Sequence, residues 1–489
     1  MYIDVNKFIN CACDSDMLQM ALDEARVTGE SVVIPKKNKR TGMDIWEISK
    51  TVYLHDESIL ILQNCHLRMA DDSICNMFAN KNARTALAME PEGKQRNITI
   101  KGIGKAVLDG GKHNGLYEVN GIARDVSKYP EHNASENCMI YMQNVEHLQI
   151  DNITIMDQRY WAIALYTTSY SRISNIHFIS SSNVPNQDGV DLLKGCHDVI
   201  VENITGCVGD NIIALLATDD DVYESVVKTK RDGDIRNITI RNIMVYGVGG
   251  CSLIRLLNHD GFRIYNVRID NVIEVSPWSD KDAPVAQNPD LVICSDKEGN
   301  IIHTRHLTPG EEGYRCEATI IIGESYWYKT SKAQPGDTFG ISVSNVMTHA
   351  RYGVFLNNTL QDSSFDNIRM FGNGFAAVYF GEGHMENVRF TNISYDKECR
   401  PLPEDEHIFI EWNNTRSDGF YSVYFNGTDV ENIRFRDIYC AGGMEAVFGG
   451  HGSGLITCEN VMHDQIEKLA CVDGIEITSG REGCEKTCL

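Results

Sequence analysis

From about residue 97 onward the chain keeps returning to one short pattern, an asparagine followed by hydrophobic, any residue, hydrophobic. It reads Asn97-Ile-Thr-Ile, Asn152-Ile-Thr-Ile, Asn175-Ile-His-Phe, Asn237-Ile-Thr-Ile, Asn242-Ile-Met-Val, Asn266-Val-Arg-Ile, Asn367-Ile-Arg-Met, Asn387-Val-Arg-Phe, Asn392-Ile-Ser-Tyr and Asn432-Ile-Arg-Phe, with shorter matches at Asn203, Asn271, Asn345 and Asn460. Returns at roughly 20 to 40 residues mark a repeat architecture, in which each unit buries its apolar face against the next. Within a return such as His147-Leu-Gln-Ile-Asp-Asn-Ile-Thr-Ile-Met, alternate positions are apolar, the period of a strand with one face buried. Short strands without helical crossovers of roughly 10 to 15 residues do not build an ordinary parallel sheet. They wind instead as a parallel β-helix, each coil laying its strands on those of the coil before. The expected fold class is therefore all-β, a single-stranded solenoid. The asparagines are expected to be structural, since Asn at a sharp bend bonds adjacent backbone and tolerates left-handed geometry.

A solenoid needs its ends closed. Residues 14 to 29 carry the one clear amphipathic helix, with Met17, Leu18, Met20, Ala21, Leu22 and Ala25 near helical spacing and Gly29 as a stop, and Ser31-Val-Val-Ile-Pro then starts the first coil. Residues 1–40 thus read as an N-terminal cap and 41–489 as the coils. The interval from about 276 to 318, with His303, His306 and Glu311-Glu312-Gly313, is longer than any other between repeats and is expected to cover substrate or to form a subunit contact, so a homo-oligomer is one expectation.

Composition excludes several partners. A net charge of −23 argues against nucleic acid or an anionic membrane, which are bound through clustered Lys and Arg, and disfavours a strongly anionic substrate unless basic side chains converge locally. The opening Met1-Tyr-Ile-Asp-Val-Asn-Lys-Phe lacks the basic start and apolar run of a signal peptide, so a soluble, cytoplasmic chain is expected. Sixteen cysteines are spread over 489 positions, which favours reduced, mostly buried thiols over a disulfide scaffold. Neither Cys11-x-Cys13 nor Cys484-x-x-x-Cys488 has a second pair nearby, and neither a metal nor another cofactor is expected.

Chemistry concentrates near the middle of the chain. Asn186-Gln187-Asp188-Gly189-Val190-Asp191 is followed about one coil later by Gly209-Asp210-Asn211-Ile212-Ile213-Ala214, the same association of acid and glycine at a strand end. Each aspartate alone reads as a turn residue bonding backbone, but two such motifs at coil spacing place Asp188, Asp191 and Asp210 on one surface. Paired carboxyls suit glycosidic cleavage, where one acid protonates the leaving oxygen while another activates water or attacks the sugar.

The Asn-x-Asp-Gly-x-Asp and Gly-Asp-x-x-x-Ala segments resemble those of the polygalacturonase group of family 28 glycoside hydrolases, and residues 14 to 35 resemble the cap of the wider pectin-lyase-like superfamily. The resemblance implies a right-handed parallel β-helix and an inverting hydrolase, with Asp210 as general acid, Asp188 as water-activating base and Asp191 as a supporting residue. It also implies an aromatic contact one coil before Asp188, where Arg159-Tyr160-Trp161 stands, and Asn186 and Asn211 beside the acids are further expected substrate contacts. The departures matter as much. Asn211 replaces the second aspartate of the family's pair, no histidine occurs near Val248-Gly249-Gly250, and the Arg-Ile-Lys that grips galacturonate has no counterpart. A neutral or weakly acidic oligosaccharide is therefore the expected partner. Replacement groups are sought at Arg255, His259 and Asp260, and further contacts at Glu324 and Arg351. Two other readings stand beside hydrolysis: a lyase, fructotransferase or epimerase on the same fold, with Arg255 as the central candidate base, and a non-catalytic carbohydrate-binding β-helix.

Overall fold

The computed structural model describes residues 2–71, 73–111, 134–180, 186–218, 231–246, 252–274, 318–323, 332–372, 374–396, 420–442, 444–464, 466 and 468–479. The excursion expected at about 276–318 falls almost wholly outside these residues, as does Glu324. The fold is a parallel β-sheet solenoid of the right-handed β-helix kind with one N-terminal α-helix. Two compact units make up the chain, one mainly Met1–Ala214, the other mainly Arg236–Ala283 and Leu307–Leu489.

In the first unit the helix Asp14–Thr28 ends as its sequence requires: Gly29 adopts φ +73° and donates its N–H to the Ala25 carbonyl at 2.8 Å. Met17, Leu18, Ala21, Leu22 and Ala25 are buried, whereas Met20 is 49% exposed, because helical spacing turns it off the apolar stripe. Asp14 fastens the helix to the coils. Its buried carboxylate accepts from Asn38 Nδ2, Arg40 Nε and Glu47 N, each at 2.8 Å. The strand Tyr2–Asp4 pairs with Ser31–Ile34, so the expected cap already carries strands of the stack.

The stack is visible as columns. Ile3, Val32, Leu60, Ile100, Ile150, Ile173 and Val201 stand opposite one another on successive parallel strands, and all are buried. Neighbouring strands lie about 4.8 Å apart, so each apolar side chain rests on its counterpart one coil away. Burying one such side chain contributes about 1.5–3 kcal/mol. In the second unit Ile269, Val343, Phe365, Phe390 and Phe435 form a corresponding column. Its rings stack at 4.9 Å and 4.7 Å, close to the strand spacing itself.

All fourteen repeated asparagines are left-handed, with φ between +52° and +60°. An ordinary L-residue loses about 1–2 kcal/mol there, whereas Asn reduces the loss through local hydrogen bonding. The amides also bond from coil to coil: Asn203 to Asn175 at 3.0 Å, Asn271 to Asn242 at 3.0 Å, Asn367 to Asn345 at 2.8 Å and Asn432 to Asn387 at 2.7 Å. Among the described cysteines, Cys65 and Cys196 are buried free thiols that desolvation pushes up to about 12, as expected of packing residues.

Replacing Asn203 separates the two contributions. Asn203→Gly loses the side-chain bonds, the Asn175 bond among them, but relieves the left-handed turn of its Cβ, while Asn203→Ala loses the same bonds and keeps a Cβ at φ +56° with nothing to offset it. Urea unfolding should show Ala destabilising by about 1–2 kcal/mol more than Gly; equal losses would mean that the backbone geometry is not the cause.

Candidate active site

The central carboxylates are positioned by two adjacent strand starts in the first unit. Gly209 and Asp210 donate their backbone N–H groups to the Gln187 carbonyl at 3.1 and 3.3 Å, Gly189 donates to the Asn211 carbonyl at 2.9 Å, and Val190 donates to the Ile212 carbonyl at 2.9 Å. Residues 187–190 therefore run directly beside 209–212. In this register the residue opposite Asp188 is Asn211, with Asp210 one position earlier, beside the bend.

Asn211 uses that position to join the two acids. Its Nδ2 donates to Asp188 Oδ2 at 2.9 Å and to Asp210 Oδ1 at 2.9 Å, and its backbone N–H reaches Asp188 Oδ2 at 3.3 Å. One amide nitrogen thus holds an oxygen of each carboxyl, which places those oxygens within about 6 Å of each other. Burial differs across the pair. Asp188 is 3% exposed, whereas Asp210 is half-buried.

Two glutamines that the sequence reading did not single out fix this backbone. Gln158 Nε2 donates to the carbonyls of both Gln187 and Asp188 at 3.1 Å, Gln187 Nε2 returns a bond to the Gln158 carbonyl at 2.8 Å, and Ser180 Oγ donates to Gln158 Oε1 at 2.7 Å. Both side chains are fully buried, and they lie 29 residues apart, one coil. That shared spacing was the available signal. Gly189 serves by close approach: a Cβ there would lie 2.4 Å from the Ile212 carbonyl oxygen. Asp191 is completely buried within the strand Val190–Leu193, opposite Ala164 on the coil before.

The aromatic pair before Asp188 is also enclosed. Tyr160 and Trp161 stack with centroids 4.9 Å apart, at 7% and 3% exposure, so Trp161 lies in the packing of the coil. Burial pushes the nearby Tyr166 hydroxyl well above its ordinary value, with Tyr141 reinforcing the shift and Arg84 opposing it. Arg159 was expected at the substrate, but its buried guanidinium donates to the carbonyls of Gly110, Ser73 and Ala70. That arrangement ties together the backbone at residues 70, 73 and 110. Asn186, half-buried with φ +57°, shapes the turn into the Asp188 strand.

The remaining candidates belong to the second unit. His259 was considered as a substitute base, yet it is 0% exposed, with its N–H on the Ala217 carbonyl and its own carbonyl accepting from Phe262. A side chain so enclosed meets no substrate in this conformation. Asp260 occupies the adjoining left-handed turn at φ +59°. Arg255 is half-buried on the strand Ser252–Asn258, opposite Ile321, and the Arg351 guanidinium sits 5.1 Å from the Tyr352 ring centre. Among the described residues no three His, Cys, Asp or Glu side chains gather as a metal site would require, and no helix is long and apolar enough to cross a membrane.

Comparison with known proteins finds a family likeness over part of the chain. The profile of the glycosyl hydrolases family 28 matches residues 60–277, the span that holds Asp188, Asp191, Asp210 and Asn211. No curated protein matches the chain in sequence. Among solved structures, the catalytic domain of Agl-KA is 12% identical with a TM-score of 0.52, covering 98% of this chain and 68% of that one. A tailspike protein mutant of E. coli bacteriophage HK620 is also 12% identical with a TM-score of 0.52, covering 96% and 78% respectively. At this identity both show the fold alone.

The tight approach at Gly189 yields a direct test. Gly189→Ala must push residues 188–190 away from 211–212, costing about 1–3 kcal/mol in thermal or urea unfolding. A variant as stable as the parent would contradict the close coil contact on which the Asp188 geometry depends.

Proposed function

We propose that this distant relative of the family 28 glycosyl hydrolases, a carbohydrate-active enzyme on the pectin-lyase-like β-helix, hydrolyses a glycosidic bond in a plant-type or related oligosaccharide. The observation that carries the proposal is the Asn211 amide holding Asp188 and Asp210 together across adjacent coils. Asp210, the more accessible of the two, donates its proton to the leaving glycosidic oxygen. Asp188 takes a proton from water as the water oxygen bonds to the anomeric carbon and the old C–O bond breaks. Asp191 supports the pair from within the strand, and Asn211 fixes the carboxyl orientations where the family has a second acid. Asn186, at the turn before Asp188, is assigned to the substrate side.

A neutral sugar suits this centre. The galacturonate-gripping Arg-Ile-Lys has no counterpart, and Arg159 is spent on backbone carbonyls. Inversion at the anomeric carbon is the outcome proposed from the family likeness. One observation favours a second reading, retention with Asp188 as nucleophile: two oxygens sharing one nitrogen lie closer than the roughly 6.5–9.5 Å between carboxyls in inverting enzymes.

Screening aryl glycosides and plant-derived oligosaccharides should identify an accepted substrate, and NMR of the first-released anomer then decides between inversion and retention. Asp210→Asn and Asp188→Asn should each lower kcat by about 10²–10⁴-fold while leaving the fold intact. Hydrolysis of every accepted glycoside surviving Asp210→Asn would refute the assignment. Sugar binding without turnover in either form would mark a non-catalytic β-helix.

A further inference from the structure

The second unit carries a pair of arginines that form no ion pair among the described residues. Arg389 lies on the strand Ala376–Asp396 and Arg434 on Tyr421–Ala441, and the two stand directly opposite each other on adjacent parallel strands. Each is exposed and flanked by buried residues, Val388 and Phe390 in one case, Ile433 and Phe435 in the other. Alternation therefore sends both guanidinium groups outward from the same face, about 4.8 Å apart at the backbone.

Like charges directly opposite on neighbouring strands repel. Other arginines of this unit have a carboxylate at hand: Arg268 reaches Asp270 at 3.5 Å and Arg436 reaches Asp437 at 3.3 Å. Neither Arg389 nor Arg434 forms an ion pair among the described residues. Arg434 donates Nε to Asn432 Oδ1 at 3.2 Å, which orients the fork and leaves both terminal nitrogens for another acceptor. In a chain of net charge −23, this is a local convergence of positive charge.

The pair lines an open cleft of about 440 Å³ together with Asp362, Ser364, Asn387 and Asn432. Ser364 precedes Arg389 in the same column, supplying a hydroxyl beside the two cations. The asparagine amides are already directed: Asn432 Nδ2 donates to Asn387 Oδ1 at 2.7 Å, and Asn387 Nδ2 donates to Asp362 Oδ1 at 3.2 Å. One Asp362 oxygen is held by the amide ladder and its negative charge stays at the cleft edge, where the two guanidinium groups outnumber it and keep donors for a ligand.

We infer that this cleft is a second carbohydrate subsite, one that takes a saccharide bearing a carboxylate or sulfate group, with the oxyanion bridging Arg389 and Arg434. Planar forks match such oxyanions in bidentate geometry, and an open surface groove lets a saccharide lie across them. The oxyanion specificity rests on the arginine pair; the saccharide part rests on the carbohydrate function proposed above. The subsite binds acidic glycan without taking part in bond cleavage.

Calorimetric titration of the full chain at low salt tests this with three probes: inorganic sulfate, digalacturonate and a neutral disaccharide of the same linkage. Digalacturonate should bind about tenfold or more tightly than its neutral counterpart, and the preference should weaken with added salt. The Arg389→Ala/Arg434→Ala double variant should lose that preference. Arg389→Lys should retain charge attraction but lose part of the affinity, because a point charge does not reproduce the fork. Asp210→Asn should leave the preference unchanged, which separates this site from the hydrolytic centre. Equal affinity for acidic and neutral sugars, or an undiminished preference in the double variant, would overturn the inference. Inorganic sulfate binding as tightly as the disaccharide would overturn its saccharide part. Absence of turnover with an arginine-dependent preference would refute the hydrolase proposal alone.

Discussion

Parallel register between consecutive coils is the constraint on which the rest of this structure depends. When each residue stands opposite its counterpart about 4.8 Å away, an apolar side chain buries itself against another, and an aromatic ring stacks at the same interval. The column from Ile3 to Val201 and the Phe365, Phe390 and Phe435 stack are the same solution in different side chains. Holding that register through a bend requires a left-handed residue at each turn, and asparagine meets the requirement while bonding to its counterpart on the next coil.

The same register brings chemistry together. Because residues 187–190 run beside 209–212, acids far apart in the chain become neighbours without a dedicated scaffold. The residue opposite Asp188 is an amide, and an amide can donate to two carboxylates at once where a third carboxylate would repel both. Gln158 and Gln187 hold the backbone below, and Gly189 lets the coils approach. The centre is thus a product of strand pairing first and side-chain identity second.

This order explains what could be read from the residues alone. The asparagine repeat and the period of two are local features that the fold uses without change, so the coiled parallel architecture, the capping helix and the left-handed turns were legible. Adjacency of Asp188 and Asp210 was legible from coil spacing, but the intervening role of Asn211 was not, since it depends on a one-residue offset in register. Arg159 looked like a ligand-binding cation because its three carbonyl partners lie remote in sequence, at residues 70, 73 and 110. His259 and Trp161 looked accessible because burial by neighbouring coils leaves no mark within a short motif.

Coupling between the two acids tests the central claim most directly. A double-mutant cycle on kcat/KM would compare the parent, Asp188→Asn, Asp210→Asn and the double variant on one accepted glycoside. Residues acting as a unit are strongly non-additive, so the double variant should be no slower than the slower single variant within about threefold. Losses that multiply would mean that the carboxyls joined through Asn211 act independently, which contradicts a shared reacting centre.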